Sequence, residues 1–228
     1  VRSRGLGDVY KRQTEIDLKQ LMLWYGQAGT PEVSFDEAWD EATKTFSLTL
    51  RQHTAPTPGQ PEKQALLIPV AMALLDENGA ELHAETLLLR EESQRFDFEL
   101  KQAPKAVSLF RHFSAPVKLK GQSRERLAFL AAHDGDLFNR WDALQRYASA
   151  VLLEGVAAHQ QGKPFTLDAG LKDAIAAILA DAKRDPAFAA EALVLPMESL
   201  LADDMEVVDP DAIHAVRQAA HKALGSAL

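Results

Sequence analysis

A change of hydrophobic period near Pro116 constrains the fold of this chain more than any other feature of its sequence. Before this point apolar and polar residues mostly alternate, as they do on half-buried β-strands. After it, apolar residues recur at the spacing of an amphipathic helix. The sequence therefore predicts a mixed fold, in which an antiparallel, Ig-like β-sandwich is followed by an all-α array of helical hairpins.

The strands of the first half can be placed individually. Residues 46–50 and 96–100 alternate apolar with polar side chains, whereas residues 66–75 form a continuous apolar run. That run ends at Asp76-Glu77-Asn78-Gly79, and its Asn-Gly pair predicts a type I′ turn followed by a returning strand over residues 82–89. Two further segments complete this half, a predicted strand over residues 106–113 and a proline-rich surface loop over residues 55–61.

Helix boundaries in the second half follow from capping residues. Ser123 is predicted to cap the first helix, the long second helix is predicted from about Asp136 to His159, and Thr166 is predicted to cap the third. Asp-Pro pairs at residues 185–186 and 209–210 mark two more helix starts, since aspartate caps well and proline suits the first helical position. The last helix is predicted to bury four apolar side chains, those of Ile213, Val216, Ala220 and Leu224.

The amino-acid composition excludes some classes of binding partner. The chain has 25 basic and 33 acidic residues, for a net charge of -8, and a surface of that sign repels the phosphates of nucleic acids. It has no cysteine, which excludes disulfides and thiolate metal ligands and suits a reducing, cytoplasmic compartment. The apolar run at residues 66–75 is much shorter than the roughly 20 residues that a membrane helix needs. We therefore expect no nucleic-acid partner and no membrane partner.

Two clusters of polar residues are candidate metal sites. His83-Ala84-Glu85 has the H-x-E form of zinc deaminases, but it lies in a predicted strand and the cysteine ligands of that class are absent. His133, Asp134 and Asp136 crowd a predicted helix–helix turn, where aspartates usually serve as helix caps with solvated charges. We interpret them as such a capped turn.

The remaining candidate binding residues are also interpreted as having ordinary structural roles. Asp203, Asp204 and Glu206 are typical of a solvated loop, and His214 and His221 are expected to edge the apolar face of the last helix. The aromatic residues Trp24, Tyr25 and Trp141 are interpreted as buried packing or a domain interface, in preference to ligand platforms. No His-Glu-x-x-His pair, phosphate-binding loop or G-x-S-x-G occurs. The sequence thus assigns no catalytic, cofactor-binding or metal-binding residue.

Four sequence strings resemble one known family. They are LWYGQAGTP at residues 23–31, FSAPVKL at residues 113–119, FNRWDA at residues 138–143, and DPA at residues 185–187 followed by AEALVLP at residues 190–196. In order and spacing these strings are similar to those of bacterial aminopeptidase N. The resemblance extends from about residue 14 to the end of the chain.

The resemblance implies that the parent protein is a zinc-dependent enzyme that removes N-terminal residues from peptides. In that family a His-Glu-x-x-His motif in an upstream catalytic domain binds zinc, which activates water. None of those residues occurs in this chain, so no catalytic or zinc-binding residue carries over. The resemblance implies a non-catalytic fragment whose sandwich is a spacer and whose helices form part of the active-site cover. Its implied partners are the upstream catalytic domain and the peptide substrates of the parent.

The same resemblance implies a division of the chain into four segments. Residues 1–13, which begin with Val1 and have no helical or strand period, are expected to be a non-native or disordered leader. Residues 14–29 are expected to be the end of the catalytic domain and a linker, residues 30–119 the sandwich, and residues 120–228 the truncated N-terminal part of the helical C-terminal domain. The alternative is a free-standing β-sandwich module that binds a protein or peptide.

Overall fold

The computed structural model describes residues 18–228, which begin with one short helix, continue as strands and end as helices. The predicted leader, residues 1–13, and the start of the predicted linker lie outside the described residues. Helix α1 is Lys19–Gly26, and the strands that follow are β1 (Glu32–Asp40), β2 (Thr45–His53), β3 (Ile68–Leu75), β4 (Glu81–Leu89), β5 (Ser93–Glu99), β6 (Ala106–Leu109) and β7 (Lys118–Leu119). The later helices are α2 (Arg124–His133), α3 (Leu137–Gln160), α4 (Ala169–Ala180), α5 (Pro186–Ala192), α6 (Glu198–Asp203) and α7 (Pro210–Ala227).

The strands form two sheets, with strand orders β5-β2-β1-β7 and β4-β3-β6. Strand β2 pairs antiparallel with both β1 and β5, and β6 pairs antiparallel with β3. The short edge strand β7 is the exception, because it lies parallel to β1 through the pairs Glu32 with Lys118 and Val33 with Leu119. The predicted mixed fold, an Ig-like sandwich followed by helices, is confirmed.

The core of the first sheet follows the predicted alternation along β2. Leu48 and Leu50 are fully buried, while Arg51 is exposed. Ser47 departs from the pattern, since it was expected to face outward and is buried. Its hydroxyl donates to an Asp97 oxygen at 2.6 Å, and this hydrogen bond compensates for its burial.

The turn between β3 and β4 differs from the predicted type I′ turn. That turn needs a positive φ at both central residues, whereas only Gly79 is left-handed here, with a φ of 82°. The backbone N–H of Gly79 donates to the Asp76 carbonyl, and the Asp76 carboxylate accepts from the backbone N–H groups of Asn78 and Ala80. The aspartate side chain thus organises a longer turn with one left-handed residue.

Strand β6 is shorter than the predicted strand over residues 106–113. It ends at Leu109, and a 3₁₀ turn over Arg111–Phe113 follows. Phe110, His112 and Phe113 have φ angles of 61°, 56° and 53°, in the left-handed region that residues other than glycine rarely adopt. A strand cannot continue through these angles, so the prediction was wrong for the last four residues.

The helix caps are mostly those predicted. Ser123, Asp136, Asp185 and Asp209 each accept a hydrogen bond from the backbone N–H three residues later, at the starts of α2, α3, α5 and α7. The predicted cap of α4 was wrong, because Asp168 rather than Thr166 caps that helix by accepting from the Leu171 N–H. The helix therefore starts later than the threonine suggested.

Helix α3 is the centre of the helical region, where it contacts α2, α4, α5, α6 and α7. It approaches α7 closely at Gly155, because a Cβ at that position would lie 2.8 Å from the Val216 side chain. All four apolar residues predicted to be buried on α7 are buried: Ile213, Val216, Ala220 and Leu224. No helix of the described residues combines the length and apolar character that a membrane crossing requires.

Proximity of Cα atoms divides the described chain into two compact units. Unit 1 contains residues 18–71, 85–103 and 114–121, and unit 2 contains residues 72–84, 104–113 and 122–228. Unit 2 therefore includes the β3–β4 turn and β6 as well as the helices. The segment boundaries predicted from the sequence stay predictions.

Candidate functional site

Two aspartates at the turn between α2 and α3, in unit 2, are buried rather than solvated. Asp134 is 3% exposed and Asp136 is 4% exposed, so the predicted solvated turn was wrong in this respect. The capping role of Asp136 is confirmed, because its carboxylate accepts from the Asn139 N–H at 2.9 Å. His133, the last residue of α2, is exposed as expected.

A hydrogen-bond network compensates for the burial of Asp134. One carboxylate oxygen accepts from the Ser108 hydroxyl at 2.5 Å, and the other accepts from the Asp136 backbone N–H at 2.9 Å. The Asn139 side-chain amide donates to Ser108 at 2.7 Å and to the Leu109 carbonyl at 2.9 Å. Burial nevertheless raises the pKa of Asp134, because the loss of hydration outweighs the hydrogen bonds and the nearby positive charge.

Arg111 supplies that positive charge from the 3₁₀ turn after β6. Its guanidinium lies 2.7 Å from a Glu81 oxygen and 3.3 Å from Asp134, and its Nε is buried without a hydrogen-bond partner. The neighbouring His112 places its Nδ1 2.6 Å from an Asp136 oxygen. These contacts hold the left-handed segment at residues 110–113 in place, which offsets its backbone strain. Sequence reasoning missed this role, because neither Ser108 nor Arg111 belongs to a recognisable motif.

An open cavity of about 540 Å³ lies beside the same turn in unit 2. Its apolar lining includes Leu137, Ile178 and Phe188, and its charged lining includes two arginines and several aspartates. The Arg140 guanidinium lies 4.9 Å from the centre of the Phe188 ring, and its Nε donates to the Ala131 carbonyl at 3.3 Å. The complete lining is Asn78, Ala132, His133, Asp134, Gly135, Leu137, Arg140, Ile178, Asp181, Arg184, Asp185, Phe188 and Ala189.

The cavity was not predicted from the sequence. Its charged residues come from the α2–α3 turn, from α3 and from the segment between α4 and α5, and no fixed spacing relates them. Arg140 lies inside the FNRWDA string, but a lone arginine on a helix gave no signal of a cavity. Asp185 was predicted only as a helix cap, and that role is confirmed by its hydrogen bond from the Phe188 N–H.

The other polar candidates are dispersed. Asp203, Asp204 and Glu206 are exposed as expected, although Asp203 is the last residue of α6 rather than part of a loop. His214 contacts Glu198 at 2.9 Å, while His221 is exposed on α7. Their positions agree with the interpretation that these histidines edge the buried face of the helix.

The aromatic candidates differ from one another in exposure. The Trp24 indole N–H donates to the Leu67 carbonyl at 2.8 Å within unit 1, whereas the Tyr25 side chain is 83% exposed. Tyr25 is therefore not buried packing in the described structure. In unit 2, Trp141 is half-buried with its ring centre 5.9 Å from that of Phe138.

The described residues do not fit a zinc ion. Among residues 18–228, no three histidine, aspartate or glutamate side chains are grouped so that they could hold a metal. His83 and Glu85 lie on β4, and both have other interactions. We derive no metal-dependent step from this part of the chain.

Comparison with known proteins assigns both halves of the chain to described domains. Residues 29–122 match the domain of unknown function DUF3458, described as an Ig-like fold, and residues 124–228 match its C-terminal companion, described as ARM repeats. The chain is 37% identical to aminopeptidase N of Escherichia coli over 94% of its own length and 26% of that protein. It is 40% identical to aminopeptidase N of Caulobacter vibrioides over 88% of its length and 23% of that protein.

A solved structure is similar to the chain as well. It is a crystal structure of Legionella pneumophila aminopeptidase A in complex with aspartic acid, with a TM-score of 0.78 and 27% identity. The match covers 96% of this chain and 25% of that one. The chain thus spans about a quarter of the length of the relatives it matches.

Proposed function

Because this chain belongs by homology to the aminopeptidase N family, we propose that it is a non-catalytic part of a zinc-dependent enzyme that removes N-terminal residues from peptides. The observation that carries the proposal is the identity of 37% over 94% of the chain, confined to 26% of the relative. The proposal assigns the zinc ligands and the general base to an upstream catalytic domain. It also places the protein in the cytoplasm, with which the cysteine-free composition is compatible.

The proposal gives the two halves of the chain different roles. The sandwich is a spacer that contacts the catalytic domain, and the helices form part of the cover over the active site. Contact between unit 1 and the catalytic domain is supported by an apolar face on α1, the helix that precedes the sandwich, because this helix has no buried residue and exposes Leu21, Met22 and Tyr25. The hydrogen bond from Trp24 to Leu67 anchors the helix to the rest of unit 1.

Co-expression with the catalytic region tests this proposal. The chain should co-purify with a region that contains His-Glu-x-x-His, and should by itself neither hold stoichiometric zinc nor hydrolyse an aminoacyl anilide. Tyr25→Ala should weaken the complex by about 30-fold, which corresponds to the roughly 2 kcal/mol of an aromatic interface anchor. The matched control is Val207→Ala in unit 2, whose side chain is 79% exposed. Tyr25 is a cleaner probe than Trp141, whose contact with Phe138 contributes to folding.

The alternative is the free-standing binding module. It is favoured if the folded chain and the folded catalytic region do not associate, and the chain instead binds a peptide through the sandwich. Chelator-sensitive peptidase activity of the purified chain, free of host enzymes, would contradict both functions.

A further inference from the structure

We propose that the cavity beside the α2–α3 turn binds the free α-carboxylate of an amino acid or short peptide, with Arg140 and Arg184 as its anchors. This site lies within unit 2 and does not depend on the proposed catalytic partner. The cavity volume of about 540 Å³ is in the usual range for small-molecule sites, roughly 300–1,000 Å³.

The orientation of Arg140 supports a carboxylate ligand. Its hydrogen bond to the Ala131 carbonyl and its position over the Phe188 ring hold the guanidinium beside the cavity. Among residues 18–228, no acidic side chain forms an ion pair with Arg140, so its two terminal nitrogens keep donors for a ligand. A planar fork of N–H donors matches a carboxylate with two parallel hydrogen bonds.

Arg184 adds a second positive charge to the same lining. Its side chain is exposed and has no ion-pair partner in the described part of the chain, although its backbone N–H donates to the Asp181 carbonyl. Unpaired guanidinium groups that line one cavity are expected to attract an anion.

The other charges of the lining select the class of anion. Asp181 and Asp185 line the cavity together with the two arginines, so its formal charge is close to balanced once Asp134 is paired with Arg111. A multiply charged phosphate meets repulsion from these carboxylates, whereas a ligand with one carboxylate and one ammonium group complements both signs. Leu137, Ile178 and Phe188 provide apolar surface for a side chain of the ligand.

Calorimetric titration of the full chain tests the site with three probes: the dipeptide Ala-Leu, its C-terminal amide, and inorganic phosphate. We expect Ala-Leu to bind, and the amide and phosphate to bind at least tenfold more weakly. Free leucine, compared with Ala-Leu, distinguishes an amino acid from a peptide end as the source of the carboxylate, because both ligands also carry the ammonium group.

Variants of the two arginines test the assignment of the anchors. Arg140→Gln and Arg184→Gln should each weaken Ala-Leu binding at least tenfold, and Arg140→Lys should bind more weakly than wild type, because lysine lacks the planar fork. Lys183→Gln is the matched control, since Lys183 is exposed beside Arg184 but does not line the cavity. Arg184→Gln decides the result if Arg140→Gln does not fold. Equal binding of the amide, equal binding of phosphate, no heat of binding, or unchanged affinity of the arginine variants overturns the proposal.

Discussion

The two units bury polar side chains in different ways. In unit 1 the buried polar residues are the neutral Ser47, Gln52 and Thr54. The side-chain amide of Gln52 pairs with the Leu66 backbone as a neighbouring strand would. It donates to the Leu66 carbonyl at 2.9 Å and accepts from the Leu66 N–H at 2.8 Å. In unit 2 the buried set includes the charged residues Asp134, Asp136 and Arg111.

The free-energy cost of burying a polar group therefore has different causes in the two units. A buried neutral amide needs only hydrogen-bond partners, whereas a buried carboxylate must also replace its hydration. The pKa of Asp134 is raised for that reason, despite its partners Ser108 and Arg111. Unit 2 therefore contains, in addition to its apolar core, a set of buried charged groups that depend on one another for their partners.

Removal of Asp134 should have the largest effect on stability. Asp134→Ala leaves the Ser108 hydroxyl and the Asp136 N–H without their acceptor. It also removes one of the two carboxylates that pair with Arg111, so that only Glu81 remains. We expect a loss of about 3–5 kcal/mol, as for other broken buried ion pairs. Urea denaturation followed by circular dichroism measures it.

Two comparison variants sharpen this prediction. Leu48→Ala, at a fully buried apolar position of unit 1, should cost about 3 kcal/mol through cavity formation. The exposed Asp203→Ala should change stability by at most about 0.5 kcal/mol. If Asp134→Ala behaves like Asp203→Ala, the network does not stabilise unit 2.

Substitution of Gly79 should have an intermediate effect. Its φ of 82° is unfavourable for alanine, and an added Cβ would lie 2.3 Å from the His133 carbonyl oxygen within unit 2. Gly162 has a similar φ of 72° but open space around it. Gly162→Ala should therefore cost about 1 kcal/mol from backbone strain alone, and Gly79→Ala at least about 2 kcal/mol. Equal midpoints of thermal unfolding for the two variants would show that the close contact with His133 is unimportant.

The smallest expected effect concerns Tyr147, whose hydroxyl donates to Asp168 at 2.6 Å. Burial, with the adjacent Asp168 carboxylate, raises the pKa of Tyr147 to about 12. An unfolded tyrosine loses its proton near pH 10, so between about pH 10 and 12 the unfolded state binds fewer protons and stability falls as pH rises. Tyr147→Phe should cost about 1 kcal/mol at pH 7 and remove this part of the alkaline decline.

The measurement is the free energy of unfolding at pH 8, 10 and 11 for both proteins. The difference between wild type and Tyr147→Phe isolates Tyr147 from other groups that titrate in this range. A difference that stays constant with pH would mean that the phenol keeps its ordinary pKa in the folded state.

Hydrophobic periodicity and capping residues were sufficient to predict that strands precede helices and where most helices start. Hydrophobic period is a local property, and a cap such as Asp136 or Asp209 acts on a backbone N–H only three residues away. The same local logic was insufficient at the Asn78-Gly79 turn, where the carboxylate of Asp76 selected another geometry.

The burial of polar residues and their arrangement around the cavity could not be predicted from the sequence. Ser108 and Asp134 are 26 positions apart in sequence, and nothing near either residue indicates that the two are paired. Arg140 and Arg184 likewise line one cavity only because α3 and the α4–α5 segment pack in the same unit. The physical reason is that burial and electrostatic partnership depend on distances in space, which a periodic pattern along the chain does not encode.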